Sequence, residues 1–499
     1  MPTALTDATA DPTLVHPRSS TYPGSSVGGG DGGEGCTYFV EHRGDRFYIV
    51  TNADGAANFK VVSTPVTDPT RSSWQDFVAT DDVHPIEDAE MFASHCVVHR
   101  RDAWGLPELL VVPYDDNPDA AVTIRPEELH PGHATRPGGG GGGGGGGDHS
   151  SLNNSRNAFS LHPHPNSDFE ATHFSFSTTT PLAPFTDWRF DLKTGKLTVT
   201  AQQEAVGAPY FAAQQFRACR RLVPPNDDVS QQQQQQQEHP AVPVTLVHRE
   251  GIPLDGTAPV LVLAYGAYGT VLEPDFKADH LALLRRGWVI AYCHARGGGE
   301  LGPRWHQSGT KLDKSNTVAD LERCCDWLVA TGFTRPGRII GKGVSAGAVP
   351  FAALCNRRPG LFGGLVLKVP FVGVLATMLD PEQPLTLHER DEWGDPIACE
   401  AAFDAIRAYC PTHNLLTTHQ SYPPIFATAS MDDERVPYWQ PAKFVAGLRQ
   451  QPIGDEAEAM DQDQLFLLTE DDGGHFGGGQ EHQSYELAFM FKALGLPFR

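Results

Sequence analysis

The chain has 499 residues, which is too long for one ordinary hydrophobic core and therefore predicts two domains. Its formal net charge of −23 argues against a nucleic-acid-binding protein, because such a protein needs a basic surface to meet phosphate groups. No apolar run approaches the roughly 18 residues of a transmembrane helix, so we expect no membrane span.

The first residues and the cysteines indicate the cellular compartment. Residues 1–35 are rich in Pro, Ser, Thr and Gly and are expected to be disordered. Asp7 and Asp11 stand where a secretory signal needs an apolar segment, so we predict no such signal. The cysteines follow no regular spacing, and Cys324 and Cys325 are adjacent. This pattern favours reduced thiols in a cytoplasmic protein over a disulfide framework.

Residues 36–238 show the pattern of an all-β unit. Short runs rich in β-branched and aromatic residues lie between turns, at 37–42, 46–51, 96–99, 109–112, 188–192 and 196–199. Such a series is typical of a sandwich or of propeller blades. The glycine tract at 138–147 and the glutamine tract at 231–237 cannot bury apolar surface, so we interpret both as surface loops or linkers.

From residue 239 to residue 499, strands alternate with helices. Strand candidates lie at 259–263, 289–293, 339–340, 365–367, 425–427 and 465–468, and helix candidates at 279–286, 317–330 and 485–494. The alternation predicts an α/β domain with a mostly parallel sheet and helices on both faces. We place the domain boundary near residue 239, at the end of the glutamine tract.

A G-x-S-x-G motif, Gly343-Val344-Ser345-Ala346-Gly347, follows the strand candidate at 339–340 and precedes a helical run. A serine on a sharp strand-to-helix turn has an exposed hydroxyl, and glycines beside it leave room for the turn. Ser345 is therefore a candidate nucleophile, and the Ala346 N–H is a candidate oxyanion donor. An ordinary Gly/Ser turn is the alternative, because the bare pattern is common.

A serine nucleophile needs a histidine base and a carboxylate that orients the base. In α/β-hydrolases the carboxylate follows the serine along the chain, and the histidine follows the carboxylate. Asp432 and Asp433 come after the strand candidate at 425–427, and His475 comes after the one at 465–468. Both loops follow the carboxyl ends of strands, where open α/β sheets place their sites. Spacing alone does not choose between Asp432 and Asp433.

Seven segments carry a family resemblance: YGAYG at 265–269, RGGGE at 296–300, GVSAG at 343–347, PFV at 370–372, TMLD at 377–380, EWGDP at 392–396 and DERVPYWQPAK at 433–443. Together they resemble the prolyl oligopeptidase family of serine peptidases, most closely its oligopeptidase B branch. The resemblance extends from about residue 37 to residue 499. It implies a C-terminal α/β-hydrolase domain capped by a seven-bladed β-propeller that filters substrates by size.

The resemblance also implies the catalytic roles. Ser345 is similar to the family's nucleophile, Asp433 to its aspartate, and His475 to its base. Tyr265 is similar to the tyrosine whose hydroxyl is the second oxyanion donor, beside the Ala346 N–H.

The resemblance further implies the substrate-binding residues. The segment of Glu389 and Asp391 is similar to the acidic segment with which the branch recognises a basic P1 residue, with Asp391 where Glu is usual. Arg435 is similar to an arginine that contacts the peptide near the scissile bond, and Tyr268 is grouped with these. The expected substrates are short peptides cleaved after Arg or Lys, with no cofactor, metal, nucleic acid or membrane. An exposed acidic turn is the alternative for Glu389 and Asp391.

Some features depart from the family pattern. Ala348 stands where a glycine is usual, and Val344 is unusual before the serine. Residues 36–238 have room for about four blades of about 40–45 residues each, so an open arc with a weak size filter is expected. Two alternatives stay open: an esterase or lipase-like hydrolase with an apolar acyl pocket, and a truncated inactive homologue that acts as an interaction protein.

Overall fold

The computed structural model describes residues 36–114, 120–129, 155–204, 213–225, 240–383, 385–416, 421–450, 464–477 and 479–497. The predicted disordered segment 1–35 and both low-complexity tracts, 138–147 and 231–237, lie outside these ranges. Across the ranges that are described, no helix is both long enough and apolar enough to cross a membrane.

Three four-stranded antiparallel sheets follow one another in the N-terminal part of the described chain. Each pairs its strands in chain order, as a propeller blade does. The first blade holds β1 (Tyr38–Arg43), β2 (Arg46–Thr51), β3 (Lys60–Pro65) and β4 (Gln75–Val78), and the second holds β5 (Ile86–Met91), β6 (His95–Arg101), β7 (Pro107–Pro113) and β8 (Val122–Ile124). After the short helix α1 (Pro126–Leu129) and strand β9 (Arg156–Asn157), the third blade holds β10 (Ser160–Pro163), β11 (His173–Thr180), β12 (Ala183–Asp191) and β13 (Leu197–Gln202).

The second blade buries both of its faces. Successive side chains of a strand point to opposite sides, so Cys96 and Val98 of β6 join an apolar cluster with the first blade. Val97 between them joins a different cluster, which includes Phe174 and Phe176 of the third blade. The partial propeller predicted from the sequence is confirmed, but the described residues form three blades where we expected about four.

The C-terminal part is built on a sheet that has nine strands within the described ranges, in the order β21-β20-β19-β18-β16-β17-β15-β14-β9. The strands that follow the third blade are β14 (Phe216–Val223), β15 (Val242–Arg249), β16 (Val260–Ala264), β17 (Val289–Cys293), β18 (Ile339–Val344), β19 (Phe362–Lys368), β20 (Ile425–Ser430) and β21 (Leu465–Glu470). The neighbours from β17 to β21 pair in parallel, whereas β15, β14 and β9 pair antiparallel.

Helices cover this sheet on both faces. They are α2 (Ala278–Leu284), α3 (Pro303–Gln307), α4 (Ser315–Ala330), α5 (Ala348–Arg357), α6 (Val374–Met378), α7 (Thr386–Trp393), α8 (Glu400–Tyr409), α9 (Trp439–Arg449) and α10 (Gln480–Ala493). In β16, Val262 packs into one cluster with α4 and α5, and its neighbour Leu263 packs into another with α2 and α10. The predicted α/β-hydrolase domain is confirmed, and a sheet buried on both faces explains its near-continuous apolar strands.

The predicted domain boundary near residue 239 does not fit the strand pairing. β14 lies before that residue and β15 after it, yet they pair from Phe216 opposite Arg249 to Val223 opposite Val242. The glutamine tract therefore falls in the connection between two neighbouring strands of one sheet. The change in composition marks this connection. The prediction left β9 and β14 in the propeller, but both strands belong to the C-terminal sheet.

Buried charges join the second blade to the C-terminal sheet. Arg101, at the end of β6, has a side chain only 5% exposed and pairs with Glu87 of its own blade and with Glu273. Arg220 of β14 is also buried, and it donates to the backbone oxygen of Trp104 at 2.8 Å. These contacts hold the second blade against the C-terminal part of the chain.

The close packing of β18 predicts a stability difference between two glycines. A methyl group on Gly341 would lie 2.6 Å from Cδ1 of Phe351, whereas one on Gly360 would meet nothing within 4 Å. We expect Gly341→Ala to lower the free energy of unfolding by about 1–3 kcal/mol, because overpacking forces neighbours to move. Gly360→Ala is the matched control and should stay within about 0.5 kcal/mol of the wild type in denaturant unfolding. Equal stability of the two variants would show that the residues around Gly341 can move to accommodate a methyl group at little cost.

Candidate active site

The candidate residues lie at one edge of the sheet. β16, β18, β20 and β21 belong to its parallel part, so their carboxyl ends point the same way. Tyr265 follows β16, Ser345 follows β18, Asp433 follows β20, and His475 follows β21. Loops at the carboxyl ends of strands are where open α/β sheets place their sites.

Ser345 occupies a strained turn between β18 and α5. Its φ of 54° is in the left-handed region, which is unfavourable for a residue with a side chain. A Cβ on Gly343 would collide with the backbone oxygen of Gly347, and one on Gly347 would lie 2.9 Å from a ring carbon of Tyr265. The turn therefore needs both glycines, and it brings the ring of Tyr265 against the turn of Ser345.

His475 is held by Asp433. Its Nδ1 lies 2.7 Å from Oδ2 of Asp433, and the two side chains are 7% and 0% exposed. The other oxygen of Asp433 accepts the backbone N–H groups of Arg435 and Val436, each at 2.9 Å. Asp432, the alternative that spacing left open, is exposed. With Nδ1 engaged, the second ring nitrogen of His475 is the one left to act as a base.

The surroundings of Asp433 keep its carboxylate ionised. Burial by itself would raise the pKa of this group, but the hydrogen bonds from His475 and from the two backbone N–H groups outweigh burial and lower it. An ionised carboxylate at Nδ1 stabilises a positive imidazolium ring, which is the species formed when a histidine takes a proton from a serine.

The Tyr265 hydroxyl is a donor at neutral pH. Burial raises its pKa, the carboxylates of Glu389 and Glu392 raise it further, and the Arg435 cation opposes them. A protonated hydroxyl on a ring that packs against the serine turn suits the role of an oxyanion donor, as does the backbone N–H of the buried Ala346 within that turn.

Glu389, near the middle of α7, lies in an aromatic corner. Its Oε2 accepts the hydroxyl proton of Tyr268 at 2.6 Å and the indole N–H of Trp393 at 3.0 Å. The rings of Tyr268 and Trp393 meet edge to face, with centroids 6.1 Å apart. Tyr268 itself has a φ of 58° and follows β16 in the same loop as Tyr265, so the structure brings these predicted residues together.

The structure does not bring Asp391 to Glu389. Both are on α7, and residues two apart in a helix face in different directions. The Asp391 side chain is 66% exposed, and its Oδ1 lies 3.6 Å from Nζ of Lys311. The structure therefore separates the two acidic side chains that the sequence grouped together, because the sequence did not reveal that the segment is helical.

The residue on the same side as Glu389 is Glu392, which the sequence interpretation did not single out. It is buried, and it pairs with Lys314 and His306, each at 2.7 Å. Burial alone would raise the pKa of Glu392, but hydrogen bonds and charge from His306 and Lys314 lower it. Its i+3 spacing from Glu389 would have signalled a shared face once α7 was recognised as a helix.

Arg435 and Phe476 form an exposed pair beside His475. The Arg435 guanidinium carbon lies 5.2 Å from the centre of the Phe476 ring, and Phe476 is 80% exposed. The ring also meets His475 edge to face at 5.1 Å. Arg435 was predicted to contact substrate, whereas Phe476 was missed, since an aromatic residue in a Gly-rich loop has no sequence pattern of its own.

In the part of the chain that the structure describes, no three His, Cys, Asp or Glu side chains are grouped so that they could hold a metal ion.

Comparison with known families gives two matches along the chain. The model of the prolyl oligopeptidase family matches residues 274–495, and the model of the prolyl oligopeptidase N-terminal β-propeller domain matches residues 31–203. The matches follow the order of the two parts of the fold. The chain belongs to the prolyl oligopeptidase family. Its α/β-hydrolase domain and its blades correspond to the two parts of that family's architecture.

Three individual proteins illustrate the similarity. Dipeptidyl aminopeptidase BI of Pseudoxanthomonas mexicana is 32% identical over 92% of this chain and 57% of the relative. The prolyl endopeptidase-like protein of Gallus gallus is 30% identical, with the same two shares. The structure of oligopeptidase B from Trypanosoma brucei with covalently bound antipain superposes with a TM-score of 0.77 and 28% identity, over 94% of this chain and 60% of that one. This chain thus spans less than two thirds of the relatives it resembles.

The His475–Asp433 contact predicts a clear difference between two neighbouring aspartates. Asp433→Asn removes the charge that stabilises the imidazolium ring, and we expect the reaction of the chain with a fluorophosphonate to slow by up to about 10⁴-fold. Asp432→Asn is the matched control, because Asp432 is exposed and should leave the rate near that of the wild type. A larger loss in the Asp432 variant would contradict the geometry.

Proposed function

We propose that this chain is a serine-type endopeptidase that cleaves short peptides after Arg or Lys through an acyl-enzyme. Ser345 is the nucleophile, His475 the general base, and Asp433 the carboxylate that orients the base. The proposal depends on one observation above the others, the 2.7 Å contact of His475 Nδ1 with Asp433 at the strand edge that also carries Ser345. Family membership supports it, because the family is one of peptidases.

Acylation follows from the placement of these groups. His475 accepts the Ser345 proton at Nε2, while Nδ1 keeps its own proton and donates it in a hydrogen bond to Asp433. The serine oxygen attacks the scissile carbonyl carbon. The Ala346 N–H and the Tyr265 hydroxyl stabilise the oxyanion of the tetrahedral intermediate. The imidazolium then gives its proton to the leaving amine, which breaks the peptide bond and leaves the acyl group on Ser345.

Deacylation repeats the same steps with water as the nucleophile. His475 takes a proton from a water molecule, and the hydroxide attacks the ester carbon of the acyl-enzyme. The oxyanion is held by the same two donors, and collapse of the intermediate returns the proton to Ser345. The strained turn keeps the Ser345 oxygen in place for both halves of the cycle.

Specificity for a basic P1 residue is assigned to Glu389. The carboxylate is held by Tyr268 and Trp393, and both of those contacts are donated by neutral groups, so its negative charge is not cancelled by them. A guanidinium or ammonium group would gain charge-assisted hydrogen bonds there and would lie beside aromatic rings. The likeness to an oligopeptidase B structure agrees with this assignment.

The decisive test is Ser345→Ala in the full chain, assayed on a short arginyl peptide. The serine oxygen forms the acyl-enzyme, so its removal should lower kcat by about 10⁶, as for triad replacements in other serine proteases. Circular dichroism and thermal unfolding should match the wild type. Turnover retained by a purified, folded Ser345→Ala protein would refute the assignment.

The arrangement of α7 predicts unequal effects of its two acidic candidates. Glu389→Gln should lower kcat/KM for an arginyl peptide by at least about tenfold, since a charge-assisted hydrogen bond is worth about 1.5–3 kcal/mol. The same variant should spare a leucyl peptide. Asp391→Asn is the matched control on the same helix. It should leave kcat/KM unchanged for both peptides, because the Asp391 side chain faces solvent near Lys311. Equal losses for arginyl and leucyl peptides would show that Glu389 shapes the loop and does not recognise charge.

Two other functions make different forecasts in the same assays. An esterase or lipase-like hydrolase would turn over acyl esters faster than arginyl peptides, and an inactive interaction protein would turn over neither. The charged corner at Glu389 favours the peptidase over an enzyme with an apolar acyl pocket.

A further inference from the structure

A buried lysine connects the loop of Tyr265 to helix α7. Lys314 lies just before α4, and its side chain is 3% exposed. Its Nζ donates to the backbone oxygen of Gly266 at 2.8 Å and to Oε1 of Glu392 at 2.7 Å. The same ammonium lies 4.6 Å from the centre of the Trp393 ring. One cation thus contacts the residue after Tyr265 and two neighbouring residues of α7.

Glu392 also reaches the other end of that loop. Its Oε2 lies 2.7 Å from Nε2 of His306, whose ring packs against Gly269, at 3.4 Å from the position of a Cβ on that glycine. The loop from Tyr265 to Gly269 is therefore bounded at both ends by groups that contact one buried carboxylate.

The loop has little freedom to move independently of Lys314. Gly266 has a φ of 63°, and a Cβ there would collide with Cγ2 of Thr317 on α4. The Thr317 hydroxyl donates to the backbone oxygen of Arg296 at 2.7 Å, so the next loop along the sheet packs against the same helix. A change in the contact between Lys314 and Gly266 would shift Tyr265 on one side and Tyr268 on the other.

We propose that Lys314 is a positioning residue, which holds the oxyanion donor Tyr265 and the specificity carboxylate Glu389 at a fixed separation. The inference rests on the proposed function, in which these two groups bind the two ends of one P1 residue. Tyr265 is positioned through the Gly266 carbonyl, and Glu389 through Glu392 and Trp393 on the same helix. The P1 residue is bound productively only when its side chain reaches Glu389 and its carbonyl oxygen reaches the oxyanion donors at the same time.

The chemistry of the ion pair shows how a positioning role can be separated from a purely stabilising one. Burial lowers the pKa of the Lys314 ammonium, and the charge of Glu392 opposes the shift. Replacing a buried ion pair by uncharged groups is often neutral for stability, whereas removing one partner is strongly destabilising. The pair Lys314 and Glu392 can therefore be removed together to separate its effect on the loop from its effect on folding.

The experiment compares the wild type with Lys314→Met, with the double variant Lys314→Met/Glu392→Gln, and with Lys311→Met. Lys311 is the control, a partly exposed lysine three residues earlier in the chain. Three quantities are measured in the full chain: denaturant stability, kcat and KM for an arginyl and a leucyl peptide, and hydrogen exchange of the backbone amides at 265–269.

We expect Lys314→Met to lose stability, because Glu392 loses its buried cation, and the double variant to regain most of it. The double variant should still show a kcat about 10–10²-fold below the wild type on both peptides, since misplaced groups slow the chemical step. Its amides at 265–269 should exchange faster, and Lys311→Met should match the wild type in all three measurements.

A stable double variant with wild-type kcat and wild-type exchange at 265–269 would overturn the proposal, and so would a loss confined to KM. If the wild type cleaves neither peptide, the proposed function fails. Hydrogen exchange still decides the positioning claim in that case, because it needs no turnover. Unchanged exchange in the double variant then refutes the role of Lys314, and faster exchange supports it.

Discussion

The left-handed backbone of Ser345 is the constraint around which the site is built. A residue with a side chain holds a φ of 54° only where its surroundings leave no alternative, and β18, α5 and the ring of Tyr265 provide those surroundings. The same tight turn requires glycine on both sides and brings the loop after β16 close to the serine. That loop in turn is bound to α7 through Lys314 and Glu392, so the turn of Ser345 and the acidic corner at Glu389 are connected through one set of contacts.

Much of the fold and the placement of the candidate residues could be predicted, because both depend on local pattern. Residues 289–293 form β17 as predicted, and helix α4 contains the predicted run 317–330, since period and apolar character agree with the final packing. The parallel order of the strands then places Ser345 and His475 at one edge, which chain order alone had indicated.

Other features depend on contacts that no local pattern records. The composition change at the glutamine tract suggested a domain edge, but β14 and β15 pair across it, and strand pairing over such a connection has no local signal. Asp391 was grouped with Glu389 from a motif, yet a helix turns the two residues apart. No sequence pattern marks Lys314, and its burial depends on contacts with the loop of Gly266 and with helix α7 that exist only in the folded chain.

The central claim is that Ser345 is acylated by a substrate whose basic group binds at Glu389. The most direct measurement is to incubate the full chain with a guanidinobenzoate ester, record the intact mass, and locate the adduct by tandem mass spectrometry. The account predicts one guanidinobenzoyl group per chain, on Ser345, and much slower labelling by the uncharged benzoate ester. No adduct, an adduct on another residue, or equal labelling by the two esters would contradict it.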